Sequence, residues 1–344
     1  MKISICIPQY NRIDLLVKSL KMIEKQSYDD IEICISDDCS VDDTVEKITE
    51  LSKNYRYPIF FHRFPQNMGY DRNYRKCIEM ASGDYAFVIG NDDSVYGENS
   101  IEFLVNFLNE NDKPDIGFCN MIEERTENTY VQRALKTAVL GKGAEIAMKY
   151  YSCFSFVGGL IYKKSTFDKF NTDKYDGSVY SQMYLGVLIV SSDYNLFSIK
   201  EPLVLKDMLL DGKFRHSYRD RISKTWKDYR VVDGGMTSVI NVLINGLKDS
   251  DQLTQSRIYH IFKRIYSLTY PHWLLDYREN KAFPMSVGLM VGMYPSKNKN
   301  FRLLSFLNRI KIYLRYFIST LIGLFAPVFL FKKFRQSIYT YFKK

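Results

Sequence analysis

Hydrophobic and polar positions in the first third of the chain follow two alternating patterns. Short runs rich in β-branched and aromatic residues predict strands at Lys2–Ile7, Ile31–Ser36, Ile59–Arg63 and Tyr85–Ile89. After each run, apolar residues recur at helical spacing, which predicts helices over Asp14–Lys25, Asp42–Leu51, Arg72–Ala81 and Ser100–Asn109. Strand and helix in regular alternation are typical of an α/β domain with a mostly parallel sheet.

The rest of the chain predicts a change of architecture. Strand-like runs at Ile116–Met121 and Phe156–Tyr162 continue the α/β pattern, and Val179–Val190 is helical in character. The periodicity is helical from Ser223 to Ile244 and from Ser256 to Leu275. We therefore expect an α/β domain over residues 1–215, a helical region over 216–295 and a basic, apolar tail over 296–344.

Charge is concentrated in that tail. The 344 residues carry a net charge of +9, and residues 296–344 hold 11 Lys or Arg and no acid, which leaves 37 basic against 39 acidic residues in the rest. A near-neutral body disfavours a nucleic-acid-binding domain. A basic tail instead predicts contact with an anionic membrane surface.

The apolar part of the tail is short for a membrane span. Tyr316–Phe331 is a stretch of 16 uncharged residues. As a helix it would extend roughly 24 Å, against roughly 30 Å for the hydrocarbon core of a bilayer. An interfacial or re-entrant anchor is favoured, and a single span and a soluble helix pair are the alternatives.

The cysteines and the opening residues indicate a reducing compartment. Six cysteines occur without a Cys-x-x-Cys pair, and Cys6 and Cys34 lie in apolar strand-like runs, so we expect buried, reduced thiols. The chain opens directly into a predicted strand, and we expect no secretory signal. The predicted location is the cytoplasm, peripheral on the inner face of the cytoplasmic membrane.

Polar clusters follow three of the predicted strands. They are Pro8–Arg12, Asp37 with Asp38, and Asn91–Asp93. The carboxyl ends of parallel strands meet at one edge of a sheet, which is where such sheets bind ligands. Carboxylates gathered there would repel one another unless a cation such as Mg²⁺ or Mn²⁺ joined them to a diphosphate. Ordinary turn and helix-cap composition is the alternative explanation for each cluster.

Five sequence blocks resemble one family. The blocks are Ile3–Pro8 with Tyr10–Arg12, Ile35–Ser40 with Asp43–Thr44, Asn67–Gly69, Ala81–Tyr85 and Gly90–Asp93. Their order and spacing resemble the family 2 glycosyltransferases, which have a GT-A fold. Asn67–Asn73, with Lys76 and Cys77, is similar to the branch that includes abequosyltransferase-like enzymes of bacterial surface polysaccharide synthesis.

The resemblance implies a nucleotide site at the strand ends, formed by Pro8, Tyr10, Asn11, Arg12, Asp37 and Asp38. Within it, Asp38 would contact the base and Asp37 would support the loop. The family's Asp-x-Asp motif falls on Gly90–Asp92, which places Asn91 at the donor and implies that Asp92 holds the metal bridging the diphosphate. Asp93 would orient the sugar or support the metal.

Two departures from the family pattern concern catalysis. Gly90 stands where the first acid of the Asp-x-Asp motif is expected. No Glu-Asp pair opens a later helix, and Asp176 is the nearest candidate for the base, with Asp173 and Asp193 as weaker alternatives. A helix N-terminal turn is the other interpretation of Asp176.

Arg215 and His216 lie in a basic loop that related enzymes place near the diphosphate. An ordinary solvated basic loop is the alternative there.

The predicted function is transfer of a sugar from a nucleotide-sugar donor to a hydroxyl of a saccharide acceptor, which we expect to be lipid-linked. Two alternatives are an inactive sugar-nucleotide-binding or scaffold protein and a nucleotidyltransferase. The chain lacks the glycine-rich phosphate loop that a nucleotidyltransferase would normally show after its first strand.

Overall fold

A computed structural model describes residues 1–124, 129–214 and 236–330. The chain divides into two compact units. The first consists of Met1–Gly177 and Leu185–Arg215, and the second of Ser178–Tyr184 and His216–Lys344.

A ten-stranded sheet organises the first unit. Its strands are β1 (Ile3–Gln9), β2 (Ile31–Asp37), β3 (Ile59–Arg63), β4 (Tyr85–Val88), β5 (Ser94–Val95), β6 (Ile116–Glu123), β7 (Thr129–Val131), β8 (Ala138–Gly141), β9 (Leu160–Lys163) and β10 (Leu196–Lys206). The strand order is β3-β2-β1-β4-β9-β6-β10-β5, with β7 beside β6 and β8 beside β10. Two further strands, β11 (Leu209–Leu210) and β12 (Lys213–Phe214), form a separate antiparallel pair.

Strands β3, β2, β1 and β4 are parallel, as are β6 and β10, whereas β9 runs antiparallel between β4 and β6. The predicted α/β architecture with a mostly parallel sheet is therefore confirmed. The register pairs Gln9 with Asp37 at the ends of β1 and β2. It also pairs Cys6 with Val88, so the chain after β4 leaves the sheet beside the end of β1.

The helices of the first unit include several with one buried, apolar face. The helices are α1 (Ile13–Ile23), α2 (Thr44–Leu51), α3 (Tyr70–Glu79), α4 (Ser100–Glu110), α5 (Ala144–Tyr150) and α6 (Lys164–Phe170), and α7 (Ser181–Ser191) belongs to the first unit from Leu185 on. In α1 the buried positions Ile13, Leu16, Leu20 and Ile23 are three or four residues apart, as a single helical face requires. They join the buried residues of β1 and β2 in one hydrophobic core.

A buried carboxylate ties the start of β1 to β2. Glu32 accepts hydrogen bonds from Ser4 Oγ at 2.6 Å and from Ser82 N and Oγ at 2.6 and 2.7 Å, and it forms an ion pair with Lys2. Burial alone would raise the pKa of Glu32, but these contacts outweigh it and lower the pKa to about 2. The network fixes the N-terminal edge of the sheet, opposite the strand ends that carry the polar clusters.

The described part of the second unit is helical. It contains α8 (Met236–Asp249), α9 (Gln255–Arg264), α10 (Tyr270–Glu279), α11 (Phe283–Gly292) and α12 (Phe306–Phe325). Helix α12 lies directly against α10: Gly323 packs so closely on Leu274 that a Cβ at this position would collide with the Leu274 side chain. Arg278 donates hydrogen bonds to the carbonyls of Gly323 and Ala326 and so caps the end of α12.

The residues on either side of position 295 belong to the same compact unit. The face of α12 formed by Ile312, Tyr316 and Ser319 is buried within the second unit, and Ser319 donates to Tyr266 O. The residues after 295 therefore begin as part of a packed helical unit, and α12 ends at Phe325, two residues before Pro327. Within residues 1–124, 129–214 and 236–330, no helix has the length and apolar character needed to cross a bilayer.

Candidate active site

The loop after β1 is held in an unusual backbone conformation. Asn11 and Arg12 have φ values of 54° and 62°, in the left-handed region that side chains other than glycine rarely occupy. Contacts over-determine this shape: Asn11 N donates to Ser40 Oγ at 2.7 Å, and Asn11 Oδ1 accepts from Val41 N at 3.0 Å. Such strain, when contacts on all sides maintain it, is a frequent feature of ligand sites.

Gln9 connects the three strand ends. Its side-chain amide donates to Thr44 Oγ1 at 3.1 Å and to Asn11 O at 2.5 Å, and its Oε1 accepts from Asn91 Nδ2 at 3.1 Å. Its carbonyl also accepts from Asn73 Nδ2 at 2.9 Å. The sequence analysis assigned no individual role to Gln9. The signal that could have indicated one is a polar side chain at the last position of a buried strand.

Asp37 supports the loop after β2, which faces the loop after β1. Its carboxylate accepts hydrogen bonds from the backbone and hydroxyl of Ser40 and lies 3.4 Å from Arg63 Nε. Burial raises the pKa of Asp37, and the Ser40 hydrogen bonds and the charge of Arg63 oppose the shift. Because Ser40 in turn binds Asn11, Asp37 acts on the β1 loop through Ser40.

Asp38 lies beside the start of α3. Its two oxygens accept from the backbone amides of Met68 and Gly69 at 2.6 and 3.0 Å. Gly69 has φ of +87°, which suits glycine and begins the helix at Tyr70. These contacts bring the sequence blocks after β2 and before α3 together at the same rim.

Asp92 lies at the rim in contact with Arg12. Arg12 Nη1 donates to Asp92 Oδ2 at 2.7 Å, and both side chains are 23% exposed. Asn91 Nδ2 donates to the carbonyl of Tyr10 at 3.3 Å, which joins the loop after β4 to the loop after β1. The structure thus brings together Tyr10, Asn11, Arg12, Asn91 and Asp92, as the sequence predicts for one site.

Asp93 is buried behind Asp92. Burial, together with the charge of Asp92, raises the pKa of Asp93 to about 7, although Lys206 and the backbone amide of Asp207 oppose the shift. That amide donates to Asp93 Oδ1 at 3.0 Å. Sequence reasoning missed Asp207, since its contribution is a backbone amide far along the chain.

Two glycines make room for the Asp93 carboxylate. A Cβ on Gly90 would lie 2.9 Å from Asp93 Oδ2 and 3.1 Å from Asp92 Oδ1. A Cβ on Gly158 would lie 2.7 Å from the same Oδ2 of Asp93. Gly90, which departs from the Asp-x-Asp pattern, is therefore required by the position of the acid three residues later.

Asp176 occupies a different setting. Arg75 Nε and Nη2 donate to its two oxygens at 2.8 and 2.7 Å, and Arg75 also binds Glu79 and Asn171. Among the residues that the structure describes, no hydrogen bond or ion pair joins Asp176 to Asp92 or Asp93. A carboxylate held by both oxygens is well suited to anchoring its segment, and this geometry favours a positioning role over acceptance of a proton.

The remaining predicted residues have simple placements. Pro8 lies within β1, and Tyr10 is 45% exposed beside the rim. Arg215 and His216 fall outside the described residues.

A match to a known protein family identifies most of the first unit. Residues 4–174 match the model of the glycosyl transferase family 2. The chain carries a family 2 glycosyltransferase domain. The strand-end rim built by Gln9, Arg12, Asn91 and Asp92 lies within the matched residues.

Two relatives of this domain are also named as glycosyltransferases. The chain is 32% identical over 225 residues to the abequosyltransferase RfbV of Salmonella typhimurium, covering 60% of this chain and 66% of that protein. It is 29% identical over 178 residues to the GalNAc(5)-diNAcBac-PP-undecaprenol beta-1,3-glucosyltransferase of Campylobacter jejuni, covering 51% and 56%. The chain thus spans less than two thirds of the length of both relatives. These matches do not favour the alternatives of a binding-only protein or a nucleotidyltransferase.

Solved structures show the same fold. The S. aureus TarS 1–349 complex with UDP matches with a TM-score of 0.60 at 11% identity, covering 98% of this chain and 92% of that one. The mannosyltransferase PcManGT from Pyrobaculum calidifontis, in complex with GDP-Man and Mn²⁺, matches with a TM-score of 0.52 at 11% identity, covering 94% and 86%. At this identity the likeness establishes the GT-A fold of the glycosyltransferase.

The side chains at the rim fit a divalent cation that also takes phosphate ligands. In the described part of the chain, no group of three or more His, Cys, Asp or Glu side chains is arranged to hold a metal. Asp92 is partly exposed, and Asp93 is buried against it. Mg²⁺ and Mn²⁺ at diphosphate sites need only one or two protein carboxylates, because phosphate oxygens and waters complete the shell.

Proposed function

We propose that the family 2 domain transfers a glycosyl group from a nucleotide-sugar donor to a hydroxyl of a saccharide acceptor. The observation that carries the proposal is the rim at which Arg12 and Asn91 meet Asp92. There a cation, a hydrogen-bonding amide and a carboxylate converge from the ends of β1 and β4. This is the edge of a parallel sheet at which nucleotides bind.

Residues of the β1 and β2 loops would bind the nucleotide. Pro8, Tyr10, Asn11 and Arg12 would enclose the base and ribose, and Asp38 would contact the base. Asp37 would act indirectly, because its contacts with Ser40 hold the loop in shape. Arg215 and His216 are proposed to approach the diphosphate.

Asp92 would hold Mg²⁺ or Mn²⁺, and Asp93 would support it from behind. When bound, the cation would neutralise charge that develops on the departing nucleoside diphosphate. Arg12 and Asn91 contribute further positive charge and a hydrogen-bond donor at the same place. Because its carboxylate is buried, Asp93 is better suited to positioning Asp92 than to contacting the acceptor.

The acceptor is proposed to be a lipid-linked saccharide in the synthesis of a bacterial surface polysaccharide. Relatives named for undecaprenol-linked and poly(ribitol-phosphate) substrates support this class. A carboxylate would accept the proton of the attacking hydroxyl. The sequence predicts Asp176 for this role, but Arg75 holds both of its oxygens, so we propose that Asp176 positions its segment and that Asp176→Asn is the first variant to test.

Attachment to an anionic membrane surface is proposed to involve α12. One face of α12 is exposed and apolar, and we refer to it as the apolar stripe: Phe306, Ile310, Leu314, Phe317, Leu321 and Phe325. Its members are three or four residues apart and lie on one side of the helix. Lys311 and Arg315 follow members of the stripe, as in helices that lie in the interface of anionic bilayers. We propose that the protein lies at the inner face of the cytoplasmic membrane.

The test is a panel of UDP-, GDP-, CDP- and TDP-sugars, with and without Mn²⁺, read by release of nucleoside diphosphate and by thermal shift. We expect one donor to raise the melting temperature and to be turned over when lipid-linked saccharides are supplied. Stabilisation by no donor in either condition would contradict the proposed function. Binding without turnover over a broad set of acceptors would favour a binding protein.

A further inference from the structure

A basic cavity lies in the second unit beside the start of α12. Its volume is about 530 Å³, and its wall carries the cations of Lys299, Arg302 and Arg309 and the rings of Phe301 and Tyr313. We refer to these residues as the basic cavity. Three positive side chains around an aromatic wall are suited to an anion that is attached to an apolar body.

No acidic side chain is among the described residues that line this cavity. The last acidic residue of the sequence is Glu279, so the whole lining segment is free of acids. Within the described ranges, Lys299 and Arg302 form no ion pair, and both side chains are exposed. Arg309 is fixed at the wall because its Nε donates to Leu304 O at 2.9 Å and its Nη2 donates to Arg302 O.

The basic cavity is continuous with the apolar stripe. Phe306 and Ile310, the first two members of the stripe, also line the cavity. From there the stripe runs along α12 to Phe325, and its side chains are between 42% and 75% exposed. A ligand with a charged head and an apolar body would place the head among the cations and the body along the stripe.

We propose that the basic cavity binds the phosphate of an anionic membrane-lipid head group, with the lipid chains against the apolar stripe. A free phosphate would pair with the cations but would leave the aromatic wall and the stripe uncovered, which is why the lipid is the better match. The proposal deepens the attachment to the membrane proposed above, and it is independent of the donor site in the first unit.

The experiment compares two kinds of phosphatidylcholine vesicle of equal surface charge. One contains phosphatidic acid, and the other contains a carboxylate amphiphile that has no phosphate. We expect the full-length protein to co-sediment at least about fivefold more tightly with the phosphatidic acid vesicles. The double variant Lys299→Ala/Arg302→Ala should lose that preference, while Lys281→Ala/Lys297→Ala, which removes the same charge outside the cavity, should keep it.

The other possible results would overturn the proposal, and each would indicate a different mode of binding. Equal binding to both vesicles, or an equal loss in both double variants, would show diffuse electrostatic attraction. Inorganic phosphate that binds as tightly as a short-chain phosphatidic acid would show a site for free phosphate. Donor-induced thermal shift, measured on the same proteins, separates failure of this site from failure of the glycosyltransferase proposal, and it also reports that the variants are folded.

Discussion

Arg12 Nη1 donates to Asp92 Oδ2 at 2.7 Å, and the two residues are 80 positions apart in the sequence. The guanidinium occupies one oxygen of the carboxylate that the proposed function assigns to the metal. We therefore expect Arg12 to exchange its partner when donor and cation bind, from a carboxylate oxygen to a phosphate oxygen. Arginine suits both partners, since its planar fork matches carboxylate and phosphate geometry.

Asp92→Asn should abolish metal-dependent turnover. Asp92 is the partly exposed carboxylate at the Asp-x-Asp position. Its loss should lower kcat on the order of 10²–10³-fold, which is the effect of removing one group that stabilises charge in a transition state. The measurement is nucleoside diphosphate release across a Mn²⁺ titration. Asp112→Asn, an exposed acid after α4, is the matched control and should change nothing. Unchanged transfer and unchanged metal dependence in Asp92→Asn would remove Asp92 as a metal ligand.

Arg12→Ala should separate metal binding from donor binding. Without the guanidinium, Asp92 is released, so Mn²⁺ should bind the donor-free protein about fivefold more tightly, the equivalent of an ion pair of roughly 1 kcal/mol. The KM for the donor should rise, because a phosphate ligand is lost. Calorimetric titration of Mn²⁺ and steady-state kinetics measure the two effects. If Arg12→Ala weakened the binding of Mn²⁺ and the binding of the donor in parallel, this result would argue against an exchange of partners.

Gly90→Ala should disturb both acids of the motif. The new Cβ would approach Asp93 Oδ2 to 2.9 Å and Asp92 Oδ1 to 3.1 Å, so at least one carboxylate must move. We expect lower metal affinity and a destabilisation of roughly 1–3 kcal/mol. Gly288→Ala is the control: its Cβ meets nothing within 4 Å, and in helix α11 it should stabilise by up to about 1 kcal/mol. Chemical unfolding and Mn²⁺ titration report the two properties.

Asp176→Asn should affect stability more than catalysis. Both oxygens of Asp176 bind Arg75, which is buried, so the variant leaves that guanidinium poorly compensated. We expect a lower melting temperature and a kcat within about tenfold of wild type, below the 10²–10⁴-fold that a general base contributes. Asp211→Asn, at an exposed turn, controls for the loss of charge. A kcat loss of 10²-fold or more with unchanged melting temperature would establish Asp176 as the base.

Glu32 should make stability depend on acid pH. Its pKa is about 2 in the folded protein and near 4.5 in the unfolded chain, so the folded state favours the ionised form. The resulting contribution, on the order of 3 kcal/mol, is present above pH 4.5 and is lost as the pH falls towards 2. Glu32→Gln should remove it at neutral pH and flatten the acid side of the stability curve. Urea unfolding from pH 7 to pH 3, with the exposed Glu50→Gln as control, measures this difference.

Local patterns in the sequence were sufficient for the α/β fold and for the composition of the rim. Strand and helix periodicity defines β1 to β4, and the parallel register then places Gln9 beside Asp37, as expected from the polar residues at both strand ends. The five blocks of the family resemblance lie on these strands or in the loops that follow or precede them. Such features are local, because each depends on the residues of one strand, one helix or one turn.

The tertiary structure alone decided which charged groups meet. Arg75 pairs with Asp176 across 101 positions, the amide of Asp207 binds Asp93 across 114, and neither contact leaves a periodic trace in the sequence. Side-chain partners of this kind depend on where separate elements pack. For the same reason, the sequence identified an apolar, basic C-terminal segment, and only the packing of α12 showed which of its faces is buried and which is exposed.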